Sequence, residues 1–151
     1  VEFINVSPQK KDMPETVNCQ WISLRPGTDT AVMLGIAYVL EKEGLVDSEF
    51  LASHTVGYDR FRSYLLGEED GIAKDVSWAS ATSNLSVSVI KSLARKMATK
   101  RAFISLAWSL QRADHGEQPY WMAVTLACML GSIGRPGGGF GFGYGAEGYI
   151  G

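Results

Sequence analysis

Apolar positions along this chain follow two rhythms, one short and one helical. Residues 1–6 alternate weakly and run into Ser7-Pro8, which predicts a strand broken at the proline. A polar loop at 9–18 separates it from a second predicted strand at 19–24. After the turn Arg25-Pro26-Gly27-Thr28-Asp29, the residues Ala31, Val32, Leu34, Gly35, Ala37, Tyr38 and Val39 leave almost no polar face. That pattern predicts a mostly buried helix from Thr30, capped by Thr28 or Asp29 and closed by Gly44. Asp47 is placed to cap a short helix ending near Ser53, and further helices are predicted at 59–66, 76–81 and 87–98. In the last of these Val89, Ile90, Leu93, Ala94 and Met97 recur at helical spacing. Phe103, Ile104, Leu106 and Ala107 then form a near-continuous apolar run, as expected of a strand buried on both faces of a parallel sheet. A helix over about 118–133 closes the order, which predicts an α/β domain with a parallel sheet and helices on both faces.

Candidate chemistry gathers just past the predicted 103–107 strand. Trp108, Ser109, Leu110, Gln111 and Arg112 follow it directly, at the carboxyl edge where open α/β sheets place their ligands. Trp108 offers a flat face, Gln111 a donor and an acceptor, and Arg112 a planar fork of donors for an anion or a carbonyl. The run Gly137-Gly138-Gly139-Phe140-Gly141-Phe142-Gly143-Tyr144 has two readings. It is either a flexible linker or a wall whose glycines let the backbone approach a bulky ligand while the aromatics pack. Gly27, Thr28 and Asp29 sit where a strand hands over to a helix N-terminus, a place suited to an anion or a nucleotide. Asp29 there is either a plain capping residue or an acceptor for a ribose hydroxyl or base N–H. Neither glycine phosphate-loop pattern is present at this turn.

Composition narrows the classes. A net charge of −2 with 20% charged residues argues neither for nucleic acid nor for an anionic membrane surface, and no basic stripe appears. The longest apolar run, 122–130, is far short of the ~20 residues of a membrane span. Cys19 and Cys128 are isolated, and neither His54 nor His115 has a cysteine or carboxylate at metal-ligand spacing, so no metal site is expected from side chains here. His54 is read as structural, and Asp114 and Glu117 as acid/base groups or as caps of the next helix. The sequence starts at Val1 without Met and stops at Gly151 inside the glycine-rich stretch, so a piece of a larger protein is expected. Residues alone lead to a nucleotide-like ligand on an α/β domain.

The blocks 21–31 and 64–78, the run Trp108-Ser109-Leu110-Gln111-Arg112-Ala113-Asp114-His115-Gly116-Glu117-Gln118, and Pro136-Gly137-Gly138-Gly139-Phe140-Gly141-Phe142 together resemble the dimethyl sulfoxide reductase family. These are molybdenum enzymes carrying two molybdopterin guanine dinucleotides. The nearest branch contains the trimethylamine N-oxide, dimethyl sulfoxide and biotin sulfoxide reductases. The resemblance implies removal of oxygen from a small S-oxide or N-oxide substrate, an electron donor protein such as a cytochrome, and a periplasmic rather than cytoplasmic parent. It places Trp108 and Arg112 at the pterin and substrate funnel, with Ser109, Leu110, Gln111, His115 and Gln118 close to the cofactor. It places Gly27, Thr28 and Asp29 at one guanine nucleotide, and Gly137, Gly138 and Gly139 near the pterin. Arg112 is expected to position and to stabilise charge rather than to transfer protons. The family's protein ligand to molybdenum and the first strand of its Rossmann-like nucleotide-binding domain both precede Val1, so residues 1–151 are expected to be one incomplete domain that depends on the rest of the same polypeptide. Two alternatives stay open: the same cofactor with hydroxylase, transhydroxylase or dehydrogenase chemistry, and a cofactor-free domain that keeps the fold.

Overall fold

The computed structural model describes residues 1–143. Strand β1 (Phe3–Val6) pairs in parallel with β2 (Cys19–Ile22), Phe3 opposite Cys19 and Val6 opposite Ile22. The polar loop between them is pinned where the Ser7 hydroxyl donates to Asp12 and the Trp21 indole N–H donates to the Ser7 carbonyl at 2.9 Å.

Helix α1 (Asp29–Lys42) is the centre of the molecule, as its unbroken apolar sequence requires. Residues from Ala31 to Ala37, with Val39 and Leu40, are all buried, and the helix packs against α4 (Val76–Ser83), α5 (Val87–Thr99) and α6 (Gln118–Met129). Gly35 permits the closest of these approaches: a Cβ there would fall 2.6 Å from the Ala79 Cβ. Helices α2 (Ser48–His54) and α3 (Tyr58–Leu66) complete this side. Asp47 caps α2 as the sequence suggests, accepting from the Phe50 N–H at 2.9 Å, and Asp75 and Ser86 cap α4 and α5 in the same way.

Strand β3 (Phe103–Leu106), helix α6 and strand β4 (Gly139–Phe142) form a second parallel unit, with Phe103 opposite Gly139 and Leu106 opposite Phe142. A helix between the two strands is the crossover that parallel pairing needs.

The architecture is therefore mixed α/β with short parallel strands, and it corrects the sequence reading in several places. Among the described residues the strands form two separate two-stranded sheets rather than one. β3 is not buried on both faces: Phe103 is 54% exposed and the pattern alternates, because one neighbouring strand and one helix cover only the side of Ile104 and Leu106. Residues 139–142 are a strand, so the linker reading does not hold for them; Tyr144 lies outside the described residues. Thr28 occupies the N-cap position of α1, but its hydroxyl donates back to the Arg25 carbonyl at 2.6 Å and caps nothing. Glu117 likewise precedes α6 without a capping bond. That helix stops at Met129 instead of Ile133, because Gly131 turns to φ +55° and Ser132 folds back on the Ala127 carbonyl.

Candidate functional site

The carboxyl ends of β3 and β4 lie side by side, and the chain leaves β3 into a 3-10 turn, Trp108–Arg112. Trp108 anchors this corner. Its indole N–H donates to the Gly143 carbonyl at 3.2 Å, and its ring meets Phe142 edge to face with centroids 4.9 Å apart. One ring system thus ties the two strand ends together while Trp108 stays 37% exposed. Tyr120, from the first turn of α6, completes the corner: its hydroxyl lies 2.8 Å from the Ala107 carbonyl and 3.2 Å from that of Trp108, and its ring sits edge-on to Phe142 at 6.0 Å.

The rest of the turn is presented outward. Ser109, Gln111 and Arg112 are exposed, Leu110 is half-buried, and Arg112 makes no hydrogen bond or ion pair among the described residues. A guanidinium standing free beside a partly exposed indole can receive an anionic or carbonyl ligand without first giving up a partner. The loop back to α6 is compact. Gly116 is buried, and a Cβ there would fall 2.5 Å from the Gln111 carbonyl oxygen and 2.6 Å from that of Leu110, so only glycine lets the loop lie on the turn. His115 adopts φ +53° beside it, exposed, with ring nitrogens 3.9 Å from Asp114 and 3.8 Å from Glu117. The Gln118 side-chain amide donates to Glu117 at 3.2 Å; Glu117's own backbone N–H, then this amide, hold its carboxyl below the usual range.

The glycine turn before β4 is held from several sides. Gly138 donates to the Arg135 carbonyl at 2.9 Å, and a Cβ on it would fall 2.7 Å from the Ser132 carbonyl. Gly137 and Gly139 take φ values of +74° and +98°, conformations that glycine adopts without steric cost. Arg101 donates to the Pro136 carbonyl at 2.9 Å.

Gly27, Thr28 and Asp29 stand apart from this corner, between β2 and α1. No hydrogen bond joins the two groups among the described residues. Gly27 has φ +75° and open space where a Cβ would be, and the first-turn N–H groups of α1 receive no side-chain cap. Half-burial pushes the Asp29 carboxyl above the usual range, against a weaker lowering by its own backbone N–H. An acceptor in that state is suited to a ligand that donates N–H or O–H groups to it.

Sequence reasoning missed Tyr120 and the role of Gly116. The only signal for Tyr120 is a hydroxyl at the head of an otherwise apolar helix; for Gly116, a glycine between charged residues where no turn type demands one. Among the described residues, no three His, Cys, Asp or Glu side chains converge as a metal site, and no helix is long and apolar enough to cross a membrane.

Comparison with known proteins bears on this arrangement. Biotin sulfoxide reductase of Cereibacter sphaeroides is 48% identical over 151 residues, covering 100% of this chain and 20% of that protein. Trimethylamine-N-oxide reductase of Haemophilus influenzae is 45% identical over 94% of the chain and 17% of its own length. The dimethyl sulfoxide/trimethylamine N-oxide reductase of Rhodobacter capsulatus is 45% identical over 95% and 17%. The chain therefore spans a fifth or less of these relatives. Among solved structures, acetylene hydratase from Pelobacter acetylenicus superposes with a TM-score of 0.73 over 86% of the chain and 17% of its own, at 24% identity, which speaks for the fold alone. A family model described as molybdopterin oxidoreductase matches residues 1–148, and the chain belongs to that family.

Proposed function

We propose that this chain is a cofactor-facing part of a molybdenum oxidoreductase that reduces S-oxides or N-oxides by oxygen-atom transfer. The observation that carries the reading is the corner where Trp108, Phe142 and Tyr120 lock the ends of β3 and β4 and leave Gln111 and Arg112 facing outward. Relatives at 45–48% identity, named as biotin sulfoxide, trimethylamine N-oxide and dimethyl sulfoxide reductases, supply the substrate class.

The residues fit a large fused-ring cofactor with nucleotide arms. A partly exposed indole and a free amide suit a pterin's face and edge. The uncapped first turn of α1 suits a pyrophosphate, and half-buried Asp29 suits the N–H edge of a guanine. In this reading Gly27, Thr28 and Asp29 hold one guanine nucleotide of a bis(molybdopterin guanine dinucleotide), on a Rossmann-like half-domain. Ser109, Leu110, Gln111, His115, Gln118 and Gly137–Gly139 border the pterin. Bound molybdenum would supply the two-electron oxygen-accepting chemistry: the oxide loses oxygen, and two electrons and two protons turn that oxygen into water. The Arg112 guanidinium attracts the oxide's negative oxygen end and orients it, while Trp108 gives the substrate passage an apolar wall and excludes water. The reading brings with it the rest of the polypeptide, an electron donor protein and a periplasmic setting.

Metal and nucleotide analysis of the full-length protein tests it, alongside Arg112→Ala and Asp29→Ala. The expected result is molybdenum with about two guanine nucleotides per chain, as a two-armed cofactor requires, one of them on the first turn of α1. Nucleotide retention should fall in the Asp29 variant, and dye-driven reduction of an S-oxide or N-oxide should fall in the Arg112 variant. A parent without molybdenum or guanine nucleotide, folded normally, would reduce the resemblance to one of fold.

A further inference from the structure

Asp47 is positioned to do more than cap a helix. Its backbone N–H donates to the Met129 carbonyl at 2.7 Å at the end of α6, and its Oδ1 caps α2. Its Oδ2 accepts from the Arg135 guanidinium at 3.0 Å, although the two residues are 88 apart in sequence. The carboxylate is lodged against the bare Cα of Gly131, where a Cβ would collide with it. Arg135 in turn belongs to the turn leading into β4: its N–H donates to Ser132 and its carbonyl accepts from Gly138. On the other side Arg101, just before β3, grips the Pro136 carbonyl. The Asp47 carboxylate on one side and the Arg101 guanidinium on the other therefore hold one glycine turn.

We infer that the Asp47–Arg135 pair is a positioning device for the glycine turn and, through it, for the Phe142–Trp108 corner. Because β4 is only four residues long, the pose of the turn at its start sets where Phe142 stands at its end. The Arg135 side chain is 62% exposed and its carboxylate partner 27%, and a pair this open to solvent contributes little to global stability, so its effect is local. For the cofactor the inference rests on the proposed function; for the turn itself it does not.

Hydrogen exchange read by mass spectrometry on the full-length protein separates the two. Arg135→Ala leaves the α2 cap intact and is expected to speed exchange across 135–143 by about two- to five-fold, the range open to an exposed ion pair. Exchange over β1 and β2 and the thermal midpoint should stay as in the parent. Asp47→Asn keeps a capping side chain, and added to Arg135→Ala it should speed 135–143 no further. Release of the whole cofactor, whose pterin this turn borders in the proposed function, should accelerate by a similar factor, read as guanine nucleotide appearing in solution. Unchanged exchange in Arg135→Ala, a change spread evenly over the chain, or additive effects of the two substitutions would overturn the inference. Localised exchange in a protein that carries no nucleotide would uphold the positioning role and refute the cofactor reading instead.

Discussion

Replacing Gly116 by alanine is the sharpest perturbation of the candidate site. The added Cβ would sit 2.5 Å from the Gln111 carbonyl oxygen and 2.6 Å from both the Gln111 carbonyl carbon and the Leu110 oxygen, all backbone atoms that no rotamer change can move aside. Reaching ordinary contact at 3.4 Å requires the 3-10 turn and the loop to separate by about 0.9 Å. Overpacking of this kind costs about 1–3 kcal/mol, offset in part by about 0.4–1 kcal/mol from the reduced freedom of the unfolded chain. The larger effect is on geometry, because the displaced turn carries Gln111 and Arg112 and is tied by Trp108 to β4. Misplacement near 1 Å in a site can cost on the order of 100-fold in rate, so kcat/KM for an S-oxide or N-oxide should fall about 10- to 100-fold. The assay is steady-state reduction by the full-length protein with a dye as electron source, beside its thermal midpoint. Unaltered kcat/KM with an unaltered midpoint would refute the claim that this glycine sets the turn.

Gly35→Ala provides the contrasting case: helix propensity favours alanine by about 1 kcal/mol, but the contact with Ala79 at 2.6 Å is between two helices and overpacking costs about 1–3 kcal/mol, so a net loss of up to about 2 kcal/mol is expected in urea denaturation with kcat/KM retained. Tyr120→Phe keeps the ring against Phe142 but removes the donor to the Ala107 and Trp108 carbonyls, so a loss of about 0.5–1.5 kcal/mol is expected, with faster hydrogen exchange confined to 107–112. Burial alone would raise the Glu41 carboxyl, but the Tyr58 hydroxyl and the Arg62 guanidinium outweigh it and hold the carboxyl below its ordinary 4.5. A lowered value means that its contribution is present above pH 4.5 and is lost as pH falls through the folded value. Tyr58→Phe should therefore cost about 1 kcal/mol at neutral pH and flatten the acid limb of stability, which denaturant midpoints between neutral and acid pH would show.

What was legible in the sequence is what side chains encode locally. The all-apolar stretch from Ala31 to Leu40 becomes the central helix, and the Asp47 cap forms as its spacing suggests. Trp108, Gln111 and Arg112 arrive just past a strand, as an apolar run followed by polar groups implies. β4 was hidden because Gly139 and Gly141 carry no β-propensity; its strand state comes from backbone pairing with β3, which no local pattern announces. The exposure of Phe103 was hidden for a related reason, since an apolar run states that cover is wanted and not how many neighbours supply it. Thr28 looked like a cap by residue type, yet its hydroxyl prefers the Arg25 carbonyl, a competition that only the folded turn decides.

The alternation of β4 has a consequence for how this segment can vary. Gly139 and Gly141 are buried while the alternating Phe140 and Phe142 are only half-buried, so one side of the strand offers no side-chain volume at all. Gly139 is held at φ +98°, a conformation that L side chains rarely adopt, so conformation rather than space restricts it, whereas the phenylalanine side can exchange one ring for another. Sequence drift in this strand should therefore avoid Gly139 and run through the two phenylalanine positions, whose aromatic substitutions would reshape the edge that Trp108 meets.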